Sequence, residues 1–136
     1  MKQVIHAGSA PEEMPFVPGM SVRGGRTVYL SGATAFPLYH KHPHDEEELR
    51  PPESIGAQTQ VALDNLRLVL EAAGGRLTDI VKVTIFNTEM EHQDEVNRVY
   101  QKFFGGHRPA RSHVGVSRLV GRGLKIEIEA VAVIDD

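Results

Sequence analysis

Hydrophobic residues recur at steps of three and four along residues 54–73, which is the spacing of one face of an α-helix. A Pro-Pro pair stands just before this segment, and Ser54 is a suitable N-cap residue. The pattern stops at a Gly-Gly pair, so the sequence predicts that the helix ends there. The apolar stripe consists of Ala62, Leu63, Leu66, Val69, Leu70 and Ala73.

A second stripe of the same period predicts another helix, which ends at Gly105. Thr88 and Glu91 have the spacing of a capping box, in which side chains satisfy free backbone N–H groups at the start of a helix. Asn97 lies beside the stripe, and we expect it to form hydrogen bonds at the helix surface or at an interface. The stripe itself consists of Val96, Val99, Tyr100, Phe103 and Phe104.

Alternation of apolar and polar residues, which is typical of half-buried β-strands, marks the other structured segments. Residues 2–8 are the weakest of these candidates. Gly24 and Gly25 predict a turn that pairs the residues just before them with the next strand as a hairpin. The four clearest strands are residues 27–32, 79–87, 111–118 and 124–134.

The last of these strands has apolar residues on both faces. Its even-numbered positions are apolar throughout, whereas the other face begins with Lys125 and Glu127 and ends with Val131 and Val133. Two helices can cover only one face of a sheet. In so short a chain we expect a second subunit to cover the other face, which makes a site between subunits plausible.

Composition and charge exclude several classes of function. The 136 residues, 40% hydrophobic and 24% charged, fit a single domain over residues 1–136. A net charge of −3 gives no basic field for nucleic acid. The first residues lack the apolar segment typical of a signal peptide, and no apolar run reaches the roughly 20 residues that a membrane crossing needs, so we expect a cytoplasmic protein with no membrane partner. The lack of cysteine excludes disulfides and thiol catalysis.

Arg111 lies on a strand whose apolar residues avoid its side. Arg111, His113, Gly115 and Ser117 share one face of this strand, which leaves a guanidinium beside small and polar groups, as a carboxylate site requires. Glu127 lies on the less apolar face of its own strand. If the two strands pair antiparallel, Arg111 and Glu127 share a cleft in which the carboxylate positions a water or moves a proton. The alternative is a cross-strand ion pair without a functional role.

A long loop before the first helix contains the alternating histidines His40, His42 and His44, followed by four acidic residues. Such a cluster is able to bind zinc or nickel. Loops this rich in charge are usually only solvated, and we expect neither a metal ion nor a cofactor. No glycine-rich segment has the spacing of a nucleotide-binding loop.

Taken together, these segments resemble the YjgF/RidA family of reactive-intermediate (enamine/imine) deaminases. The resemblance runs along most of the chain, through VYLSG, AQTQVALDNLRLVLEAAGGRLTDIVKVTIF, VNRVYQKFF, RPARSHVGV and KIEIEAVAV. Its most specific part is P-A-R-S followed by E-I-E. The resemblance implies a chorismate-mutase-like α+β fold, with a mixed β-sheet and two helices on one face. It also implies a homotrimer with a barrel-like core and clefts between subunits.

The resemblance further implies a site and a reaction. In deaminating members of the family, an arginine matching Arg111 binds the substrate carboxylate, and a glutamate matching Glu127 holds or protonates around the attacking water. Residues matching Ser31, Gly32 and Asn97 shape the site. The implied reaction hydrolyses a 2-imino acid, such as 2-iminobutanoate or 2-iminopropanoate, to the 2-keto acid and ammonia. It needs no cofactor because an imine is already electrophilic.

Two candidate substrate-binding residues depart from the family pattern. Phe16 stands where the family usually has a tyrosine, and His113 stands where it frequently has a cysteine. These changes leave two other functions open: deamination of a bulkier amino-dienoic acid, or a non-catalytic trimer that binds small metabolites. A metal-dependent activity of the three loop histidines is a third alternative.

Overall fold

The computed structural model of the chain describes residues 1–8 and 14–135. Both predicted helices and all four of the clearest predicted strands are confirmed, although the strand predicted over residues 111–118 ends at Gly115 and so does not include Ser117. Within the described residues, no helix combines the length and hydrophobicity that a membrane crossing requires. The elements are β1 (Lys2–Ile5), β2 (Gly19–Val22), β3 (Arg26–Ala33), α1 (Ile55–Ala72), β4 (Ile80–Asn87), α2 (Gln93–Phe104), β5 (Ala110–Gly115) and β6 (Ile126–Ile134).

The main sheet has the strand order β3-β6-β4-β5. β6 is antiparallel to β3 and β4, whereas β4 and β5 are parallel, so the sheet is mixed as predicted. Our expectation that residues 111–118 pair with residues 124–134 is wrong, because β4 lies between β5 and β6. The physical reason is the connection through α2. The helix returns the chain to the end of the sheet at which β4 begins, and β5 therefore runs parallel to β4.

The predicted hairpin of β2 with β3 is also absent. β2 pairs antiparallel with β1, and these two strands form a separate small sheet. The backbone N–H of Arg23 extends this pairing by donating to the carbonyl oxygen of Met1 at 2.9 Å. Gly24 and Gly25 have φ values of +70° and +78°, so they do change the direction of the chain. A glycine turn does not choose the partner of a strand, and the backbone groups of β2 are already bonded to β1.

The two helices cover one face of the main sheet and enclose the core. Ile126 and Ile128 of β6 are 0% exposed, and they belong to one cluster with Leu63 of α1 and Val96 of α2. Each large aliphatic side chain buried in this way contributes about 1.5–3 kcal/mol to the free energy of unfolding. The arrangement is the predicted α+β, chorismate-mutase-like fold.

The start of α1 is held by side chains from two elements. Ser54 is the N-cap, as predicted, and its Oγ accepts the N–H of Ala57 at 3.1 Å. The carboxylate of Glu95, on α2, accepts the N–H of Gly56 at 2.6 Å. A Cβ at position 56 would lie 2.6 Å from the same carboxylate oxygen, so glycine leaves room for this contact. A negative charge at a helix N-terminus is also favourable for the helix dipole.

The start of α2 differs from the prediction, because Thr88 and Glu91 do not form a capping box. Thr88 continues the pairing at the end of β4: its N–H and its hydroxyl donate to the carbonyl oxygen of Lys125 at 3.0 Å and 3.3 Å. A single turn of 3₁₀ helix, Met90–His92, follows before α2 begins. The end of α2 is as predicted, since Gly105 adopts a φ of +61°.

The opposite face of the main sheet is open within the described part of the chain. Tyr29 of β3 is 80% exposed there, beside its register partner Val131 of β6. Glu127 and Glu129 lie on this same face, because alternate residues of a strand point to the same side. The open face therefore combines apolar and acidic side chains.

Candidate functional site

Arg111 points to the helix-covered face of the sheet. In the parallel pairing of β5 with β4 its partner is Val83, which is fully buried. The Nη1 of Arg111 donates to Oδ1 of Asn97 at 2.9 Å. The guanidinium carbon lies 4.8 Å from the ring centre of Tyr100 and 5.4 Å from that of Phe16. An amide and two aromatic rings thus hold this side chain in place.

The remaining donors of Arg111 are free. Among residues 1–8 and 14–135, no carboxylate pairs with its guanidinium, and Nε and Nη2 make no hydrogen bond to the protein. Burial lowers the pKa of Arg111, and the nearby Tyr100 acts in the opposite direction. An arginine remains protonated in proteins despite such a shift. The result is a partly buried positive charge with free donors, which suits a carboxylate bound in a fork.

His113 lies on the same face as Arg111 and acts as a neutral acceptor. Oδ1 of Asn87 accepts the N–H of Glu89 at 2.7 Å, and this contact fixes the orientation of the Asn87 amide. Nδ2 of Asn87 then faces Nε2 of His113 at 3.0 Å, so the imidazole nitrogen accepts. Burial, together with the charge of Arg111, lowers the pKa of His113 to about 4. His113 is therefore uncharged at neutral pH.

Glu127 lies on the open face of the sheet, against the end of β3. The pairing of β3 with β6 is irregular between Leu30 and Ala33, and this brings Gly32 close to the Glu127 side chain. A Cβ at position 32 would lie 2.9 Å from the carboxylate carbon of Glu127. Burial, and then the neighbouring Glu129, raise the pKa of the Glu127 carboxyl. A raised pKa makes a carboxyl group a better base for accepting and returning a proton.

The predicted site residues thus form two separate groups on opposite faces of one chain. With Tyr100 added, we call the first group the arginine cluster (Phe16, Asn97, Tyr100, Arg111 and His113); with Glu129 added, we call the second the glutamate cluster (Ser31, Gly32, Glu127 and Glu129). The expectation that Arg111 and Glu127 share a cleft through adjacent strands is wrong for a single chain. Arg111 faces the helices. Glu127, whose register partner on β4 is Phe86, lies on the opposite face of the sheet.

Sequence reasoning missed three members of these surroundings. Tyr100 was placed only in the apolar stripe of α2, although its phenol lies beneath Arg111 and burial raises its pKa. Asn87 ends β4 and fixes His113. Glu129 shares a face with Glu127, which the two-residue spacing already indicates. The phenol oxygen of Tyr100, a polar atom within an apolar stripe, was the signal that could have indicated a role beyond packing.

Two clefts of the described chain lie elsewhere. One, of about 380 Å³, lies between β1 and the residues that precede β5, and it includes Lys2, Val17 and His107. The other, of about 420 Å³, is formed by residues 117–124 with Thr88. Neither of these two clefts is lined by Arg111 or Glu127, so neither can be the cleft predicted for them.

Comparisons with known proteins agree with this fold. A family model described as Endoribonuclease L-PSP matches residues 7–134. A RutC family protein of Pyrococcus horikoshii is 36% identical over 133 residues, which are 97% of this chain and 98% of that protein. The 2-iminobutanoate/2-iminopropanoate deaminase of Escherichia coli K12 is 36% identical over 137 residues, covering 98% of both chains.

A solved structure adds a similarity in three dimensions. The crystal structure of E. coli TdcF with bound serine has a TM-score of 0.68 to this chain and a sequence identity of 32%. The match covers 96% of this chain and 98% of the TdcF chain. The sequence and structural matches extend over nearly the whole chain, and the resemblance found in the sequence is confirmed. The chain belongs to the Endoribonuclease L-PSP family, which is the YjgF/RidA family.

Proposed function

We propose that this protein is a cofactor-independent deaminase that hydrolyses small, carboxylate-bearing imines and enamines. Its product from a 2-imino acid is the 2-keto acid, with release of ammonia. We further propose that the protein is a homotrimer and that each site lies between two subunits. The deaminase relative from E. coli supports the reaction class, and the geometry of the two clusters supports the arrangement.

The observation that carries this proposal is the state of Arg111. Its guanidinium is partly buried, held by Asn97 and two aromatic rings, and left with free donors. An arginine that served only as a structural ion pair would have a carboxylate partner in the described chain. A guanidinium held ready without one fits a carboxylate that arrives with the substrate.

The proposed chemistry needs only water and one proton shuttle. Glu127 takes a proton from water as the oxygen attacks the imine carbon, and the electron pair of the C=N bond moves to nitrogen. The proton passes from Glu127 to that nitrogen, and a second transfer from the added hydroxyl makes ammonia the leaving group. The C–N bond breaks as the C=O bond forms. One imine and one water give one keto acid and one ammonia.

The positions of the two clusters favour a site between subunits. One chain cannot bring Arg111 and Glu127 to the same substrate, because the sheet separates them. The open face that carries Glu127 also carries exposed apolar groups such as Tyr29. Covering that face with a neighbouring subunit removes apolar surface from water and can place the neighbour's arginine cluster against the glutamate cluster.

The walls of the arginine cluster favour a substrate with an apolar side chain. Phe16 presents a ring without a hydroxyl beside Arg111, and neutral His113 adds no charge. These features suit an apolar chain, and they keep the amino-dienoic acids within the range of substrates to be tested. They also support the second candidate, a trimer that binds small carboxylates without turnover.

Complementation between two variants tests the proposed site. Arg111→Ala and Glu127→Gln are each expected to lose activity by on the order of 100-fold or more. When the two chains are co-expressed in equal amounts, about one site in four combines an intact arginine with an intact glutamate from different chains. About a quarter of wild-type activity should then return. The assay generates the imine with an amino-acid oxidase and traps unhydrolysed imine with semicarbazide.

Matched controls separate the parts of the proposal. Co-expression of Arg111→Ala with the double variant Arg111→Ala/Glu127→Gln should recover nothing. Native mass spectrometry checks that mixed trimers form, and a different oligomer would overturn the trimer. Mixed trimers without recovery would contradict the shared site. Wild-type protein that binds imino or keto acids but turns over none of them would favour the binding role.

A further inference from the structure

The loop between β3 and α1 brings three imidazole rings together. The ring centroids of His40, His42 and His44 are 4.9–5.0 Å apart in every pairing. One nitrogen from each ring lies within 4.8 Å of the other two. Nδ1 of His40 is buried without a hydrogen-bond partner in the described part of the chain. The loop therefore gathers three imidazole rings, and one of these rings has a buried nitrogen without a partner in the described residues.

We propose that His40, His42 and His44 form a binding site for a divalent transition-metal ion of the zinc type. Zn–N bonds of about 2.0–2.1 Å in a tetrahedral site place ligand nitrogens about 3.3 Å apart, so a small contraction of the existing cluster is sufficient. Imidazole nitrogen favours zinc, copper and nickel over magnesium or calcium. Three protein ligands leave a fourth position for water.

The acidic residues after the histidines support the cation without being its ligands. Oδ1 of Asp45 accepts the N–H of Glu47 at 3.0 Å, and Glu47 pairs with Arg50 at 3.1 Å. Glu48 accepts the N–H of Lys41, which lies between two of the histidines, at 3.2 Å. These bonds shape the turn around the cluster, and the net negative charge of the segment attracts a cation.

The start of the histidine loop is fixed to the helical layer. Nδ2 of Asn65, on α1, donates to the carbonyl oxygens of Thr34 and Phe36 at 3.1 Å and 2.9 Å. The loop begins directly after β3, whose last residues include Ser31 and Gly32 of the glutamate cluster. The bound ion would fix the loop that follows these residues along the chain, and it would take no part in the proton transfers. This positional role rests on the proposed function, whereas the metal site itself does not.

A zinc titration of the full-length protein, stripped of metal with a chelator, tests the site. Isothermal titration calorimetry with ZnCl₂ should give one ion per chain. His42→Asn and His44→Asn should each weaken binding by on the order of 100-fold, since even the loss of a residue supporting a ligand costs 10–100-fold. Hydrogen exchange of residues 38–49 should slow on addition of zinc in the wild type and remain unchanged in these variants.

The other candidate metal cluster of the described chain provides a matched control. Glu89, Glu91 and His92 also lie close together, but Glu89 already pairs with Lys125 at 3.3 Å. His92→Asn should leave zinc binding unchanged. Loss of binding in His92→Asn with retention in His42→Asn would overturn the proposal, as would wild-type protein that binds no zinc. Neither result depends on deaminase activity, so the metal site and the proposed function fail separately.

Discussion

The arginine and glutamate clusters differ in how much of each is built by one chain. Arg111 is held by three residues from two other segments: Phe16, and Asn97 and Tyr100 of α2. Glu127 lies on an open sheet face, with Gly32 on one side and the like charge of Glu129 nearby. The fold of a single chain thus completes the surroundings of Arg111, and it leaves the Glu127 carboxyl with one side exposed.

This difference agrees with the two roles in the proposed function, carboxylate binding by Arg111 and proton transfer by Glu127. The anchor must hold a charge in a fixed geometry, which requires rigid neighbours from the same chain. In the proposed reaction the Glu127 carboxylate changes its protonation state, and burial together with the like charge of Glu129 raises its pKa. Changing either cluster should therefore have a different kinetic signature.

The largest effect is expected at Arg111. Arg111→Lys retains the charge, but a lysine cannot bind a carboxylate in a fork while also donating to Asn97. We expect kcat/KM to fall by on the order of 100-fold, mostly through a higher KM. Steady-state kinetics with several imine concentrations measure this. Arg98→Ala, an exposed change on α2, should behave as wild type; an equal loss there, or an unchanged KM in Arg111→Lys, would contradict the anchoring role.

A smaller effect is expected in the glutamate cluster for Gly32→Ala. The added Cβ takes space now used by the Glu127 carboxyl, whose carbon is 2.9 Å from that position. Because the end of a flexible side chain can move, the fold should survive and kcat should fall about tenfold with little change in KM. Gly106→Ala is the control, since open space surrounds that position. A rise in KM without a fall in kcat would mean that Gly32 affects binding and not proton transfer.

An effect that leaves catalysis aside is a change in the pH dependence of stability at His113. The pKa of His113 is about 4 in the folded chain and near 6.5 when unfolded, so between these values only the unfolded chain binds the proton. The free energy of unfolding should therefore rise with pH through this window and fall on acidification. His113→Gln should flatten the rise, as urea unfolding at several pH values will measure. His6→Gln, an exposed change, should retain the wild-type slope; if it flattens equally, His113 is not the group responsible.

The sequence predicted the elements well because their signals are local. The apolar stripe of α1 lies between Ser54 and a Gly-Gly pair, and the structure uses Ser54 as its cap. The two faces of β6 were visible in the alternation from Leu124 to Ile134. Such patterns depend on neighbours along the chain, so one sequence is sufficient to find them.

The neighbours of β5 were not predicted, because pairing depends on residues that are distant in the chain. The strand–helix–strand order of β4, α2 and β5 was a usable signal, since parallel neighbouring strands need a crossover connection, which is usually a helix. The alternation correctly grouped Arg111 with His113, yet it could not say that this polar side faces the helices. Asn97 and Tyr100 provide the contacts that stabilise a charged side chain on that side. Their distance from β5 depends on how α2 packs against the sheet.

The contact between Gly56 and Glu95 means that substitutions at these two positions depend on each other. With any side chain at position 56, the carboxylate of Glu95 must leave the first turn of α1. Without Glu95, a glycine at position 56 has no advantage and costs about 0.5–1 kcal/mol relative to alanine within a helix. Each residue contributes to the stability of this helix start only when the other is present. We therefore expect mutation to replace both or neither, so that the start of one helix and the face of the other are inherited as a pair.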